Sequence, residues 1–151
     1  MKNHIAPKHL PIIIERFSYI KEGEKLDIEN LPERLRVGTK TGKPIANFSH
    51  IYERLDRNRP APTIVPGHNA FPVHPFLNRT LTIREAARIQ TFPDDFEFVG
   101  PLINQCMQVG NAFPCIVAQT FGERLRTVIN QDWREDDASI LATSSMFNKK
   151  K

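Results

Sequence analysis

Few residues in this 151-residue chain could make or break a covalent bond, and their spacing argues against it. The two thiols are Cys106 and Cys115. A nucleophilic cysteine needs an activating, partly exposed setting. Cys115 lies between Pro114 and Ile116 at the start of a stretch with helical apolar spacing, so it reads as a small helix residue. Cys106, in a spacer, reads the same way, and both fit reduced thiols of a cytoplasmic protein. The five histidines, His4, His9, His50, His68 and His74, share no ligand spacing with one another or with the cysteines. No metal site is expected from them. By residue type alone, Gly110 and Asn111 read as a turn capping a short preceding helix.

These residues need elements to position them. Leu10, Ile13, Ile14, Phe17 and Ile20 follow helical spacing, which predicts a helix over His9 to Lys21 with Gly23 as a stop. A second short helix is expected over Asp27 to Leu35. Residues 37–44 (VGTKTGKP) carry Gly38 and Gly42 around basic and hydroxyl residues and read as a mobile loop. Ile45 to Leu55 and Thr63 to Val65 read as strands, the second ended by Pro66-Gly67. Pro60, Pro62, Pro66, Pro72 and Pro75 crowd this middle stretch, so extended loop should dominate it. Thr82-Ile83-Arg84-Glu85 fits a capping box that opens a helix, and Pro93 ends it. A last helix begins near Pro114, with Val117, Phe121, Leu125 and Val128 as its apolar stripe.

Composition sets broad limits. The chain is 40% hydrophobic and 25% charged, which is ordinary for a globular domain. Its formal charge of +4 permits a polyanionic partner without requiring one. No apolar run is long enough to span a bilayer, and the first residues, MKNHIAPKH, lack the apolar core of a secretory signal. A cytoplasmic protein is expected.

Two blocks are the most specific signal. Residues 78–98 read NRTLTIREAARIQTFPDDFEF and residues 108–126 read QVGNAFPCIVAQTFGERLR. In order and separation they resemble the last two motif blocks of the DNA (cytosine-5)-methyltransferases. The first resembles R-x-L-T-x-R-E-x-A-R-x-Q-x-F-P-D-x-F through Arg79, Leu81, Thr82, Arg84, Glu85, Ala87, Arg88, Gln90, Phe92, Pro93, Asp94 and Phe96. The second resembles Q-x-G-N-A-V-P-P through Gln108, Gly110, Asn111, Ala112 and Pro114. Phe113 and Cys115 depart from it, standing where a valine and a second proline are usual.

The resemblance implies a division of labour. Enzymes of that family flip the target cytosine out of the duplex, because carbon 5 cannot be reached inside the stack. A cysteine thiolate attacks carbon 6, and carbon 5 takes a methyl group from S-adenosyl-L-methionine. The F-x-G-x-G cofactor turn, the Pro-Cys-Gln nucleophile loop and the Glu-Asn-Val acid block are all missing from this sequence. No catalytic residue is therefore expected in it. What remains is base readout and pocket closure. The segment before residue 78 corresponds to the target-recognition region, whose loops enter the major groove. Lys40, Lys43, Arg54, Arg57 and Arg59, with Arg36 and His50, become candidates for phosphate or base contacts. A solvated surface charge is the alternative for each. The counterpart of Thr63 helps hold a phosphate beside the flipped base. Gly110, Asn111 and Ala112 would line the methyl-donor pocket. Arg84 and Arg88 could instead tie the recognition region to its supporting helix.

The expected fold is α+β. A small target-recognition domain of short strands, loops and supporting helices should occupy residues 1–100. Residues 101–131 should carry the terminal block and a helix that packs on a Rossmann-like catalytic domain absent from this chain. Residues 132–151 lose pattern and read as a disordered tail. The expected partners are double-stranded DNA and the catalytic subunit of a split cytosine-5 methyltransferase, since split forms occur in the family. The other reading is an inactive DNA-binding remnant of a disrupted methyltransferase gene.

Overall fold

The computed structural model describes residues 1–38, 43, 52–67 and 70–130. The chain divides into two compact units, Met1–Pro114 and Cys115–Lys151. In the first unit, helices α1 (Pro11–Ser18), α2 (Ile83–Ile89) and α3 (Leu102–Asn111) are joined by long irregular connections, with one 3-10 turn at Glu33–Leu35. The second unit holds α4 (Cys115–Asn130).

α1 is shorter than its apolar spacing predicts. Pro11 stands in its first turn, where a missing amide costs nothing. At the other end, the carbonyls of Phe17 and Ile20 accept from the Arg54 guanidinium at 2.6 and 2.7 Å. Those carbonyls are thereby diverted from a continuing helical ladder. Gly23, expected as the stop, lies four residues beyond Tyr19, with φ at 78°. The helix expected over Asp27 to Leu35 shrinks to the 3-10 turn. Asp27 instead accepts from the Glu29 amide and the Asn30 side chain at 3.0 and 2.6 Å, a local turn that competes with helix.

The expected strands do not extend into ladders among the described residues. The described end of the first keeps single bridges, Lys25 with Glu53 and Arg54 with Val73, Val73 also bridges Thr80, and residues 63–65 take part in none of them. Proline explains much of this: Pro60, Pro62, Pro66, Pro72 and Pro75 each withhold the donor that a ladder needs. Residues 45–51 of the first expected strand, most of the 37–44 loop and the tail from residue 131 lie outside the described residues.

α2 forms as its sequence dictates. The Thr82 hydroxyl accepts from the Glu85 amide at 3.1 Å, and the Glu85 carboxylate accepts from the Thr82 amide at 2.8 Å. Ile83, Ala86 and Ala87 enter a core with Leu55, Ile64, Phe71, Leu81, Phe98, Cys106 and Val109, which packs α2 against α3. A smaller cluster of Phe17, Ile20, Tyr52 and Val73 anchors α1. The N-terminal residues strap across α2. The Asn3 side chain donates to Phe98 O and Gln105 Oε1 at 2.8 and 2.9 Å, and its own carbonyl accepts from the Arg84 amide at 2.9 Å. His4 and His9 meet the hydroxyls of Thr82 and Thr80 at 3.0 and 3.1 Å.

In α4, the stripe of Val117, Phe121, Leu125 and Val128 is present and exposed, as are Ile116 and Ile129.

Candidate functional site

Among the described residues three arginines are buried, Arg16, Arg54 and Arg84, and they tie the first unit together from inside. Arg54 is 5% exposed, and its guanidinium donates to Ile20 O, Phe17 O, His74 O, Leu77 O and Asn78 Oδ1, all within 3.0 Å. Burial lowers its pKa, and the Glu22 charge opposes that shift. A group so enclosed has no donor left for a phosphate or base. The expected DNA contact at Arg54 is replaced by a bolt between α1 and residues 74–78. Arg16 does the same for the turn after Glu33–Leu35, donating to Leu35 O at 2.9 Å and Val37 O at 2.6 Å. Arg84 is fully buried on α2 and donates to Lys2 O, Pro93 O and Phe96 O. Arg36, also weighed for DNA, donates to Leu31 O and Glu29 O at 2.8 and 2.6 Å.

The other candidates are placed differently. Arg57 is exposed and pairs with Glu22 at 2.8 Å, and its guanidinium lies 5.7 Å from the Phe76 ring centre. Arg59 is exposed beside Asp56 at 3.2 Å. Lys43 is exposed, and its carbonyl accepts from the Gly38 amide at 2.8 Å. Thr63 is exposed next to Ile64, which is buried in the main core. Lys40 and His50 lie outside the described residues.

α2 carries the charged hub. Arg79 grips both Glu85 carboxylate oxygens at 2.7 Å. Burial alone would raise the Glu85 carboxyl. The Arg79 and Thr82 hydrogen bonds and the Arg79 charge outweigh it and bring the pKa down to about 2. His74 lies 3.8 Å from Glu85, and its Nδ1 accepts from the amides of Phe76 and Leu77 at 3.3 and 3.2 Å. Burial, with the Arg79 charge, lowers the His74 pKa, so the ring stays neutral with its proton on Nε2. Arg88 pairs with Asp94 at 2.6 Å on the surface.

The end of α3 holds the other candidate residues. Gly110 and Asn111 form its last turn, not a turn after it, and Ala112 caps it. A Cβ on Gly110 would lie 2.3 Å from the Pro66 Cα. The glycine therefore admits the Thr63–Gly67 stretch against α3, a neighbour that sequence reading did not supply. The Asn111 side chain is exposed and Ala112 is half-buried. Gln90, 8% exposed at the end of α2, donates from Nε2 to Val109 O and Ala112 O at 3.3 and 3.2 Å. One face of this turn is closed by Pro66. The face left to a ligand is that of Asn111, whose carboxamide suits a polar molecule that needs both a donor and an acceptor.

The two thiols sit in different surroundings. Cys106 is 3% exposed beside a cavity of about 570 Å³ that Ile5, Phe71, Leu81 and Ile83 also line. Burial pushes its thiol pKa up, away from the reactive thiolate. Cys115 is half-buried at the first position of α4. Among the described residues, no group of His, Cys, Asp and Glu could hold a metal ion, and no helix is long and apolar enough to cross a membrane.

Comparison with known proteins converges on one family. The model of the C-5 cytosine-specific DNA methylases matches residues 8–127. The type II methyltransferase M.AquIB of Picosynechococcus is 37% identical over 147 residues, covering 87% of this chain and 94% of that protein. The type II methyltransferase M.DdeI of Desulfomicrobium norvegicum is 31% identical over 160 residues, 98% of this chain but 36% of that protein. Among solved structures, an E. coli prophage-encoded protein described as a DNA modification methyltransferase superposes with a TM-score of 0.60 at 28% identity. That match covers 85% of this chain and 30% of the other.

Proposed function

The chain belongs to the C-5 cytosine-specific DNA methylase family, and from that premise we propose that it is the DNA-recognition and pocket-completing part of a restriction–modification cytosine-5 methyltransferase. A partner chain supplies the nucleophile and the glycine-rich cofactor turn. The contrast in coverage carries this reading. The chain spans about a third of M.DdeI and of the prophage enzyme, yet nearly all of M.AquIB, so a methyltransferase polypeptide of this size has a counterpart. The solvent exposure of apolar residues within each unit agrees with it. Leu102, Ile103 and Met107 on α3, and Ile116, Phe121 and Leu125 on α4, are all more than 40% exposed. Apolar surface of that kind is characteristic of a docking face.

In this reading Thr63, Lys40, Lys43, Arg57 and Arg59 face double-stranded DNA. Gly110, Asn111 and Ala112 face S-adenosyl-L-methionine, which supplies the methyl group when bound. Asn111 orients the donor through its carboxamide, Gly110 admits Pro66 behind it, and Ala112 leaves room beside it. Thr63 accepts or donates at a phosphate, while Ile64 anchors that stretch in the core.

The test is reconstitution. The purified chain is mixed with a chain carrying the F-x-G-x-G, Pro-Cys-Gln and Glu-Asn-Val blocks, labelled methyl donor and duplex DNA. Methyl transfer should arise in the mixture and in neither chain alone. Turnover by this chain in isolation would overturn the reading, and a silent mixture would leave the inactive remnant as the better description.

A further inference from the structure

The last four carbonyls of a helix have no partner within it. At the end of α3, Val109 O has the capping Ala112 amide at 3.3 Å, and Ala112 O follows just past the helix. Both are met by the same nitrogen, Nε2 of Gln90, at 3.3 and 3.2 Å. Two carbonyls can only be served by the amide's donor end, so the orientation of the Gln90 carboxamide follows from its neighbours. Gln90 is buried, and its own amide closes α2 by donating to Ala86 O at 3.1 Å. Asn111 lies between the two carbonyls that it clamps. From the opposite side, Pro66 fills the space that a Gly110 side chain would need. The Asn111 turn is thus held at its main chain by one polar clamp and one steric stop, both from outside α3.

We infer that Gln90 is a positioning residue for the methyl-donor site: it presents Asn111 by clamping the carbonyls on either side of it, without touching the donor itself. This role rests on the proposed function above, because it assigns Asn111 to the donor.

The test uses Gln90→Met, which keeps the volume and removes the donor, in the complex with the catalytic partner chain. Affinity for S-adenosyl-L-methionine is measured by calorimetry without DNA, and KM and kcat are measured with it. Donor affinity should fall about tenfold, the effect of losing a buried hydrogen-bond donor. The KM for donor should rise in step, while kcat and DNA affinity stay within about twofold. Amide exchange at Asn111 and Ala112 in the full chain should quicken with no matching change elsewhere in α2. If exchange quickens but donor affinity holds, the positioning role is wrong. Unchanged exchange also overturns it, because the clamp would then hold nothing. Should Gln90→Met fail to fold, Gln90→Glu has nearly the same shape and turns an acceptor toward the two carbonyls, and the same outcomes apply. An unsubstituted complex that binds no donor overturns the proposed function itself, and that control separates the two failures.

Discussion

Gly110 and Pro66 touch so closely that no side chain fits between them: a Cβ would stand 2.5 Å from the proline nitrogen and 2.9 Å from its Cβ. The contact is with backbone, which cannot rotate away. Gly110→Ala should therefore destabilise the chain by about 2 kcal/mol despite the better helix propensity of alanine. Gly122→Ala on α4 meets nothing within 4 Å and should raise helicity instead. Denaturant melts and circular dichroism of the two variants check the pair. Equal behaviour of the two would contradict the packing.

Arg54 and Arg57 lie three residues apart but should respond in opposite ways. Arg54→Lys loses the planar fork and leaves several buried carbonyls without donors, at a cost of about 3 kcal/mol or more. Arg57→Ala should leave the melting temperature nearly unchanged, since its pair with Glu22 is exposed. It should weaken DNA binding and flatten its salt dependence. Thermal melts and a salt titration of DNA affinity distinguish the two residues.

Glu85 makes stability depend on acid. Its carboxyl is held at about 2 against an ordinary 4.5, so the folded state binds the proton less readily than the unfolded one. The stabilisation is complete above pH ~4.5 and disappears as pH falls through about 2, and is worth about 3 kcal/mol. Glu85→Gln should lower stability at neutral pH and flatten the acid limb of a stability–pH curve. An unchanged acid limb would remove Glu85 from the account.

Asn111 and Thr63 should separate cofactor from DNA. In the reconstituted complex, Asn111→Ala should weaken donor binding several-fold and spare DNA affinity, and Thr63→Ala should do the reverse. Both side chains are exposed, so neither change should move the melting point far. Equal loss of both affinities in either variant would argue against the assigned roles.

The apolar stripe of α4 predicts self-association of the chain when no partner is present. Phe121 and Leu125 are 61% and 60% exposed. Phe121→Ser with Leu125→Ser should bring sedimentation back to a monomer and weaken binding to the catalytic chain. A monomeric parent at high concentration would count against the docking role.

What could be read from the sequence was what is decided locally. The Thr82–Glu85 capping box depends on residues three apart, and it forms as read. The α4 stripe depends on helical periodicity and is present. Arg54 was illegible because its partners come from residues 17, 20, 74, 77 and 78, which only the tertiary fold assembles. Nothing in the pattern of a basic stretch separates a bolt from a surface charge. Asn3 was missed for the same reason, being tied to residues about a hundred positions away. The prolines of the middle stretch mark it as mainly extended loop, and among the described residues only single bridges interrupt that. Gln90 gave no separate signal, because its partners Val109 O and Ala112 O lie about twenty residues on.

The buried arginines grip almost nothing but carbonyl oxygens, the one group every amino acid carries in the same place. Arg54 fastens residues 74–77 without consulting what those residues are. Side chains along that stretch can change while the fastening to Phe17 and Ile20 stays as it is.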